Sequence, residues 1–336
     1  MRRVWLTLLL VIGMVSGGWA APGADPLEDI RARFRGNEAP IVMEYQLGYR
    51  FLNIELSRLG HIRLTTTGGM WRHRITGEEV PAVFIDVRVD SADRNTERKK
   101  NRVSIHDDMI SVLTMPDLHA LLFAKLTDEY LNPLLGRSSR AQSVSTYDTQ
   151  SGSMEFMRRD LSGTGRVDTA LSHPEDLLEL SRQIRPIMDY LIGQCRTNQA
   201  GTVKGRDRIS VNLDGEVVAL KLVTHREKSP GCLDRARLDA LRVETVPVGK
   251  RQSRARDFFA WAIPFDELAE VLNDDGLRAS ACEAMVESVV PLVVDYELAL
   301  GRIRASLVSV ALDGTAEVSN LASAGSNGTQ RVRNVP

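Results

Sequence analysis

The stretch MEYQLGYRFLNIELSRLGHIRL, residues 43–64, decides the fold class. Its apolar and polar side chains alternate, which is the pattern of a β-strand with one buried face. The apolar positions are first odd and then even: Met43, Tyr45, Leu47, Tyr49 and Phe51, followed by Leu52, Ile54 and Leu56. We predict a bulge or bend near Phe51–Leu52 and a second bend at Gly60, because such irregularities curl antiparallel sheets.

Further strand signals follow along the chain. Val83, Ile85, Val87 and Val89 alternate with polar residues, and Gly68–Gly69 is predicted to form a turn. Asp214–Gly215 lies between two β-rich runs, the strongest hairpin signal in the sequence. Strand-like segments outnumber helical ones, and the alternation typical of a parallel sheet is missing. The predicted fold is therefore mainly β, with a strongly curved antiparallel sheet that forms a half or full barrel.

Two helical regions interrupt the strands. The principal helix is predicted over about 172–193, with an N-terminal Ser172 and an apolar stripe that includes Ile184, Ile187, Met188 and Leu191. Pro186 should kink this helix, because proline lacks a backbone donor and clashes with the preceding turn. A smaller helical insertion is predicted over about 266–288. We expect the principal helix to pack against the sheet or to fill its open side.

The N-terminus has the pattern of a secretory signal peptide. Residues 1–20 contain Arg2 and Arg3, then an apolar run, then the small residues Gly18 and Ala20. Cleavage is predicted after Ala20, which would place the protein in the periplasm with no stable transmembrane span; the alternative is an uncleaved N-terminal anchor. The remaining chain divides into a lead-in over 21–40, a single β-rich domain over 41–312 and a disordered tail over 313–336.

Composition limits the classes of partner. The chain has 336 residues, of which 43% are hydrophobic and 26% charged, and its net charge of −1 gives no support for a nucleic-acid partner. Export permits a disulfide, and Cys195 with Cys232 is the pairing that we favour, since it would join a helix end to a Pro-Gly turn. The alternative is three buried thiols.

No catalytic or metal-binding motif is evident in the sequence. His106-Asp107-Asp108 is interpreted as a polar turn, because successive strand residues point to opposite faces and could not surround one ion. The histidines lack zinc-site spacing, and the serines lack the context of a nucleophile elbow. We therefore predict no catalytic residues, no metal and no cofactor.

Basic residues form two clusters. The first contains Arg94, Arg98, Lys99, Lys100 and Arg102, and the second lies within 250–256. Arg98, Lys99, Lys100 and Arg102 are candidates for contact with an anionic surface such as lipid headgroups. The alternative is that both clusters are solvated loop tips that protect sheet edges.

The order of several short segments is similar to a known family. They are EYQLGY (44–49), YDTQSG (147–152), the helix at 175–192, VNLDGEVVALKLVTHRE (211–227), ETVPVG (244–249) and PLVVDYELALGRIRASL (291–307). In this order the chain resembles the exported bacterial domain-of-unknown-function family 3108, from which it departs over 266–290. The resemblance implies export and a curved β-sheet without an established activity. More loosely, the chain resembles curved-sheet carriers that move lipoproteins across the periplasm.

Three functions are consistent with the sequence. The first is a non-enzymatic cell-envelope protein that binds a hydrophobic ligand, such as lipid, or another envelope component in its curved sheet. Tyr45, Tyr49, Phe51 and Ile54 are then the candidate lining residues. The second is an envelope enzyme that acts on glycan or peptidoglycan, and the third is an assembly factor with a solid core. A cavity would distinguish the first function from the third. The oligomeric state is not predicted.

Overall fold

The structure is a computed structural model. It describes residues 26–51, 54–73, 77–91, 104–130, 139–148, 153–161, 167–170, 181–197, 208–213, 216–233, 237–247, 258–280, 285, 287–297 and 302–313. The helices are α1 Pro26–Ala32, α2 Ile184–Arg196, α3 Phe265–Leu272 and α4 Asp275–Ser280. The strands are β1 Phe34–Gly36, β2 Ile41–Phe51, β3 Ile54–Arg72, β4 Glu79–Ser91, β5 Ser104–Thr114, β6 Ala120–Tyr130, β7 Ser139–Asp148, β8 Ser153–Asp160, β9 Val167–Ala170, β10 Arg208–Leu213, β11 Glu216–Lys228, β12 Asp239–Pro247, β13 Phe258–Pro264, β14 Val289–Glu297 and β15 Arg302–Leu312.

All of these strands belong to one mainly antiparallel β structure. The order across the sheet is β10-β11-β12-β13-β14-β15-β2-β3-β4-β5-β6-β7-β8-β9, and β1 pairs with β3 beside β2. Each neighbouring pair is antiparallel, and β15 joins the C-terminal strands to β2. Within the described residues the sheet ends on β9 and β10, which α2 separates in sequence.

The two arms of the sheet share one interior. Leu113 of β5 and Val243 of β12 line the same cavity, although these strands lie seven pairings apart in the sheet order. In a flat sheet that separation would be about 34 Å, since neighbouring strands lie about 4.8 Å apart. The sheet must therefore curve strongly around its interior.

The predicted bend at Phe51–Leu52 is wrong. Phe51 is the last residue of β2 and pairs with Ile54, the first residue of β3, so two paired strands meet here and no single strand bends. Paired residues lie on the same face of the sheet. Because Phe51 and Ile54 are three positions apart, the apolar positions change from odd to even numbers. A register irregularity lies between Leu47 and Tyr49 on β2, and on β3 it lies next to Gly60, which pairs with Leu47. This position agrees with the second bend predicted at Gly60. The hairpin at Asp214–Gly215 is confirmed by the pairing of Leu213 with Glu216.

The interpretation of His106-Asp107-Asp108 as a polar turn is wrong, because all three residues lie inside β5. Asp107 is buried there and lies 2.8 Å from the Lys125 Nζ atom of β6.

Gly68 and Gly69 do not form the predicted turn. Both lie inside β3, and Gly69 pairs with Gly36 of β1. A Cβ at Gly69 would collide with the Arg35 carbonyl oxygen and lie 2.7 Å from a ring carbon of Phe34. The absence of a side chain therefore permits β1 to lie close against β3.

The predicted helix is interrupted just before Pro186. Ser181 and Arg182 are helical, the helical hydrogen bonding stops at Gln183, and α2 starts at Ile184, which places Pro186 in the first turn of α2. The interruption agrees with the kink predicted from Pro186. First-turn amides have no partner within the helix, so a proline there sacrifices no hydrogen bond. The first intrahelical bond is donated by the Ile187 amide to the Gln183 carbonyl, at 3.0 Å. Residues 171–180 lie outside the described residues.

The predicted helical insertion consists of α3 and α4. Asn273 ends α3 in the left-handed conformation with φ 57°, and the Asp274 carboxylate accepts a hydrogen bond from the Leu277 amide at 2.9 Å. Both helices pack against the sheet, α3 on β13 and β14 and α4 on β15.

Helix α1 covers the other face of the sheet. Leu27 and Ile30 are buried in a second apolar cluster together with Trp71, Phe84 and Ile110. The Arg31 guanidinium also pairs with both oxygens of Asp86, each at 3.1 Å. One arm of the sheet is therefore packed on both faces.

Residues 1–25, which include the predicted signal peptide, and the residues after Asp313 lie outside the described part of the chain. Among the helices that the structure describes, none combines the length and apolar character needed to cross a bilayer.

Substitution of Gly69 tests the close approach of β1 to β3. We expect Gly69→Ala to destabilise the protein by about 1–3 kcal/mol in urea unfolding, because the new methyl group has no space. Gly193→Ala is the matched control: an added Cβ there meets no atom within 4 Å, and alanine should stabilise α2 by about 0.5–1 kcal/mol. Equal effects of the two substitutions would contradict the predicted contact.

Candidate functional site

An apolar cavity of about 130 Å³ lies between the sheet and α2. Its walls come from both arms of the sheet, from α2 and from the segment that precedes β14. The lining residues are Met43, Tyr45, Leu64, Thr66, Val83, Ile85, Leu113, Leu118, Ile184, Met188, Leu191, Val243, Phe258, Ala260, Ala262, Met285, Ser288, Val289, Val290, Pro291 and Val294. Nearly all of these side chains are hydrocarbon or thioether, so the cavity favours apolar occupants.

Helix α2 supplies one wall through its apolar stripe. Ile184, Met188 and Leu191 recur at the spacing of one helical face and are buried, as is Ile187. The helix packs on β12, β13 and β14. The stripe predicted from the sequence is thus the surface that closes the cavity.

Small residues on β13 leave room opposite the helix. Ala260 and Ala262 line the cavity together with Phe258, and the pairing of β13 with β14 becomes irregular between Trp261 and Ala262. A helix packed over alanines leaves unfilled volume where longer side chains would fill the core. The cavity therefore results from side-chain size at these strand positions.

Two of the three side-chain hydroxyls at the cavity have partners in the structure. The Tyr45 hydroxyl donates to the Pro291 carbonyl at 3.0 Å, and the Ser288 hydroxyl donates to the Met285 carbonyl at 2.7 Å. Thr66 carries the third hydroxyl. Tyr45 is the titratable residue among the described lining, and burial raises its pKa. This lining can exclude water and hold an apolar group.

The ion pairs that the described residues form around the rim of α2 are partly exposed to solvent. Arg185 pairs with Glu287 at 2.5 Å and with Asp189 at 3.1 Å, and Arg196 lies 3.7 Å from Asp266. Exposed pairs of this kind contribute between zero and about 1 kcal/mol each. Burial of the apolar stripe must therefore supply most of the free energy that holds α2 over the cavity.

Only part of the predicted lining can be located. Tyr45 lines the cavity, whereas Tyr49 is half-buried on β2 and lies away from the described lining. Phe51 and Ile54 pair at the end of the hairpin, and their side chains lie outside what the structure describes. The anionic-surface candidates Arg98, Lys99, Lys100 and Arg102 also lie outside the described residues.

The predicted disulfide is wrong. Cys195 and Cys232 are both buried, and no bond joins them. Each packs as a small apolar side chain in the main core cluster, Cys195 near the end of α2 and Cys232 between β11 and β12. Burial, reinforced by the charge of Glu267, raises the pKa of the Cys195 thiol to about 12. The thiol therefore stays protonated at neutral pH.

Other lining residues were missed in the sequence. Ala260, Ala262 and Pro291 carry no signal for a site by themselves, because alanine and proline in strands are compatible with a filled core. Met188 and Leu191 belong to the identified helical stripe, so the sequence contained the signal for this wall.

Comparisons with known proteins leave the family open. No family model matches this chain, and no curated protein matches it. A solved structure that is similar is the beta-barrel-like protein of domain of unknown function DUF1849 from Brucella abortus, at 10% identity and a TM-score of 0.40, over 83% of this chain and 99% of that one. Domain family 1849 is a different family from family 3108, which the sequence resembles. The evidence for the curved sheet and the cavity comes from the strand pairing and the lining residues of this chain.

Alkylation of the cysteines tests their state. Iodoacetamide added in denaturant without reductant should label Cys195 and Cys232 completely, whereas the native protein should protect Cys195, because the buried thiol is protonated and inaccessible. Peptide mass spectrometry measures the labelled fraction of each cysteine in the denatured and the native protein. A linked Cys195–Cys232 peptide pair would contradict the structure.

Stability at alkaline pH should depend on Cys195. An exposed thiol titrates near about 8.5, so above this pH the unfolded chain loses its proton while the native thiol, with its raised pKa, retains it. The stabilisation is complete below about pH 8.5 and is lost as the pH rises towards the native pKa. Urea unfolding should show that wild type loses about 1–2 kcal/mol more than Cys195→Ala between pH 8 and 10. Parallel pH profiles would contradict this.

Proposed function

We propose that this protein is an exported, non-enzymatic envelope protein that binds a hydrophobic ligand inside a half-barrel. In this proposal the curved sheet forms the wall and α2 covers the open side. The observation that supports it is the apolar cavity of about 130 Å³ between them. An assembly factor with a solid core would have no use for this volume, and the mainly hydrocarbon lining favours binding over catalysis.

The size of the cavity limits what it can hold. A dry apolar cavity of about 150 Å³ is large enough to bind benzene. The cavity in this protein therefore suits a short alkyl or aryl group of roughly six carbons without rearrangement. A longer chain requires movement of α2, which the weak contacts of Arg185 and Arg196 at its rim would allow.

The signal-peptide pattern supports an alkyl-chain amphiphile as the proposed ligand. The N-terminal residues 1–20 have the signal-peptide pattern, and the cell envelope is rich in amphiphiles with alkyl chains. A periplasmic location and lipid as the bound partner follow as parts of the proposal. Mass spectrometry of an organic extract of purified protein should then detect a bound lipid in stoichiometric amount.

Filling the cavity tests the proposal directly. Ala260→Leu places three more carbons in the space beside α2. Calorimetry should show that benzene, which we expect to bind wild type, loses at least about tenfold in affinity for the variant. The melting temperature should stay equal or rise, because the substitution fills a void.

Ala219→Leu is the matched control, because Ala219 is an exposed strand residue on β11. It should bind benzene as wild type does. Equal affinity of wild type and Ala260→Leu would exclude this cavity as the binding site. Absence of binding to wild type, with no lipid in the extract, would exclude the proposed function.

A further inference from the structure

One hydroxyl in the wall of the apolar cavity has no hydrogen-bond partner in the described part of the chain. Thr66 of β3 lines the cavity and is 2% exposed. The other two hydroxyls of the lining, those of Tyr45 and Ser288, each donate to a backbone carbonyl, whereas no hydrogen bond joins the Thr66 hydroxyl to another described group. Thr66 therefore carries the lining hydroxyl that is open to a ligand.

The Thr66 oxygen borders open space. Side-chain oxygens that are fully enclosed and have no partner occur elsewhere among the described residues, for example on Ser111, but the Thr66 Oγ1 atom is not one of them. The open space beside so deeply buried a residue is the cavity that it lines.

The neighbours of Thr66 on the sheet are hydrocarbon. It pairs with Ile41 of β2 and Ile85 of β4, and Leu64 precedes it on the same face. None of these side chains can exchange a hydrogen bond with the hydroxyl. A buried hydroxyl without a partner costs free energy, and a ligand that supplies the partner recovers this cost.

A second unpartnered polar atom lies at the same end of the cavity. Gly68 follows Thr66 on the same face of β3 and pairs with Val83, which lines the cavity. Because Gly68 has no side chain, the Glu38 carboxylate lies where a Cβ atom of residue 68 would be. The Glu38 Oε2 atom is buried and accepts no hydrogen bond from the described residues.

These charges and dipoles limit the polar group that a ligand can place beside Thr66. The described lining contains no cationic side chain, so an anionic group would be buried without a partner and close to the Glu38 carboxylate. An uncharged hydroxyl avoids both costs, and it can donate to Thr66 or accept from it.

We propose that the cavity binds the phenol or hydroxyalkyl end of a ligand and that Thr66 recognises its hydroxyl group. The hydrocarbon lining covers the carbons, and the Thr66 hydroxyl forms the hydrogen bond. About six carbons fit, since an apolar cavity of about 150 Å³ holds benzene. This inference rests on the proposed function and specifies the chemistry of the buried end of its ligand.

The first test compares benzene with phenol by calorimetry at about pH 7, where phenol is uncharged. A cavity walled only by hydrocarbon would reject phenol, because the phenol hydroxyl would lose its hydrogen bonds to water. We expect phenol to bind wild type with an affinity within about tenfold of that of benzene. Binding of phenol that is weaker than this would overturn the proposal.

The second test removes the hydroxyl and keeps the side-chain shape. Thr66→Val should bind phenol roughly five- to thirtyfold more weakly than wild type and benzene equally well or more tightly. Its melting temperature should be equal or higher, because a methyl group replaces a buried hydroxyl that has no partner. Thr66→Ser restores the hydroxyl and should bind phenol within about threefold of wild type.

Thr65→Val is the matched control, because Thr65 precedes Thr66 on β3 and points to the opposite face of the sheet. It should change neither affinity. An equal loss of phenol and benzene affinity in Thr66→Val would show that Thr66 only packs, and this would overturn the proposal.

Undiminished phenol binding by Thr66→Val would also overturn it, and benzene binding to wild type would then leave the proposed function intact. If neither benzene nor phenol binds wild type, this inference and the proposed function both fail.

Discussion

The backbone pairing of β15 with β2 is the constraint on which the rest of the structure depends. It joins the strands from the C-terminal half to those from the N-terminal half, residues 302–312 against residues 41–50. Without it the chain would form two separate meanders with four unpaired edges. With it, one continuous sheet can curve until its arms face each other across a shared interior. Tyr45, at the centre of this seam, extends from β2 to the Pro291 carbonyl of β14 and is fully buried.

Curvature creates an interior, and helix α2 determines how much of it is filled. The stripe Ile184, Ile187, Met188 and Leu191 buries against strands whose facing residues include Ala260 and Ala262. Apolar burial holds the helix, while its partly exposed ion pairs add little. A helix held in this way is consistent with the proposed ligand binding, because the ion pairs at its rim can break at a small cost in free energy.

The interior face combines two chemistries. Hydrocarbon dominates from β2 to β5 and on β12 to β14, whereas a buried ion pair and two hydroxyls without described partners lie along β5, β6 and β7. The described lining of the cavity belongs to the hydrocarbon side.

The sequence by itself determined the local elements. Alternation located strands such as β4, Asp214–Gly215 located a hairpin, and the apolar stripe identified α2, because each of these signals depends on neighbours within a few residues. Tertiary structure decided the rest. Whether a change of phase at residue 51 is a bend or a turn depends on which residues pair across the sheet. Whether Gly68–Gly69 is a turn depends on β1, whether two cysteines bond depends on where each packs, and whether Asp107 is exposed depends on the strands beside it. The cavity exists only because distant strands place small side chains opposite one helix. Contacts between residues far apart in the chain produce all of these features, so a local sequence pattern cannot predict them.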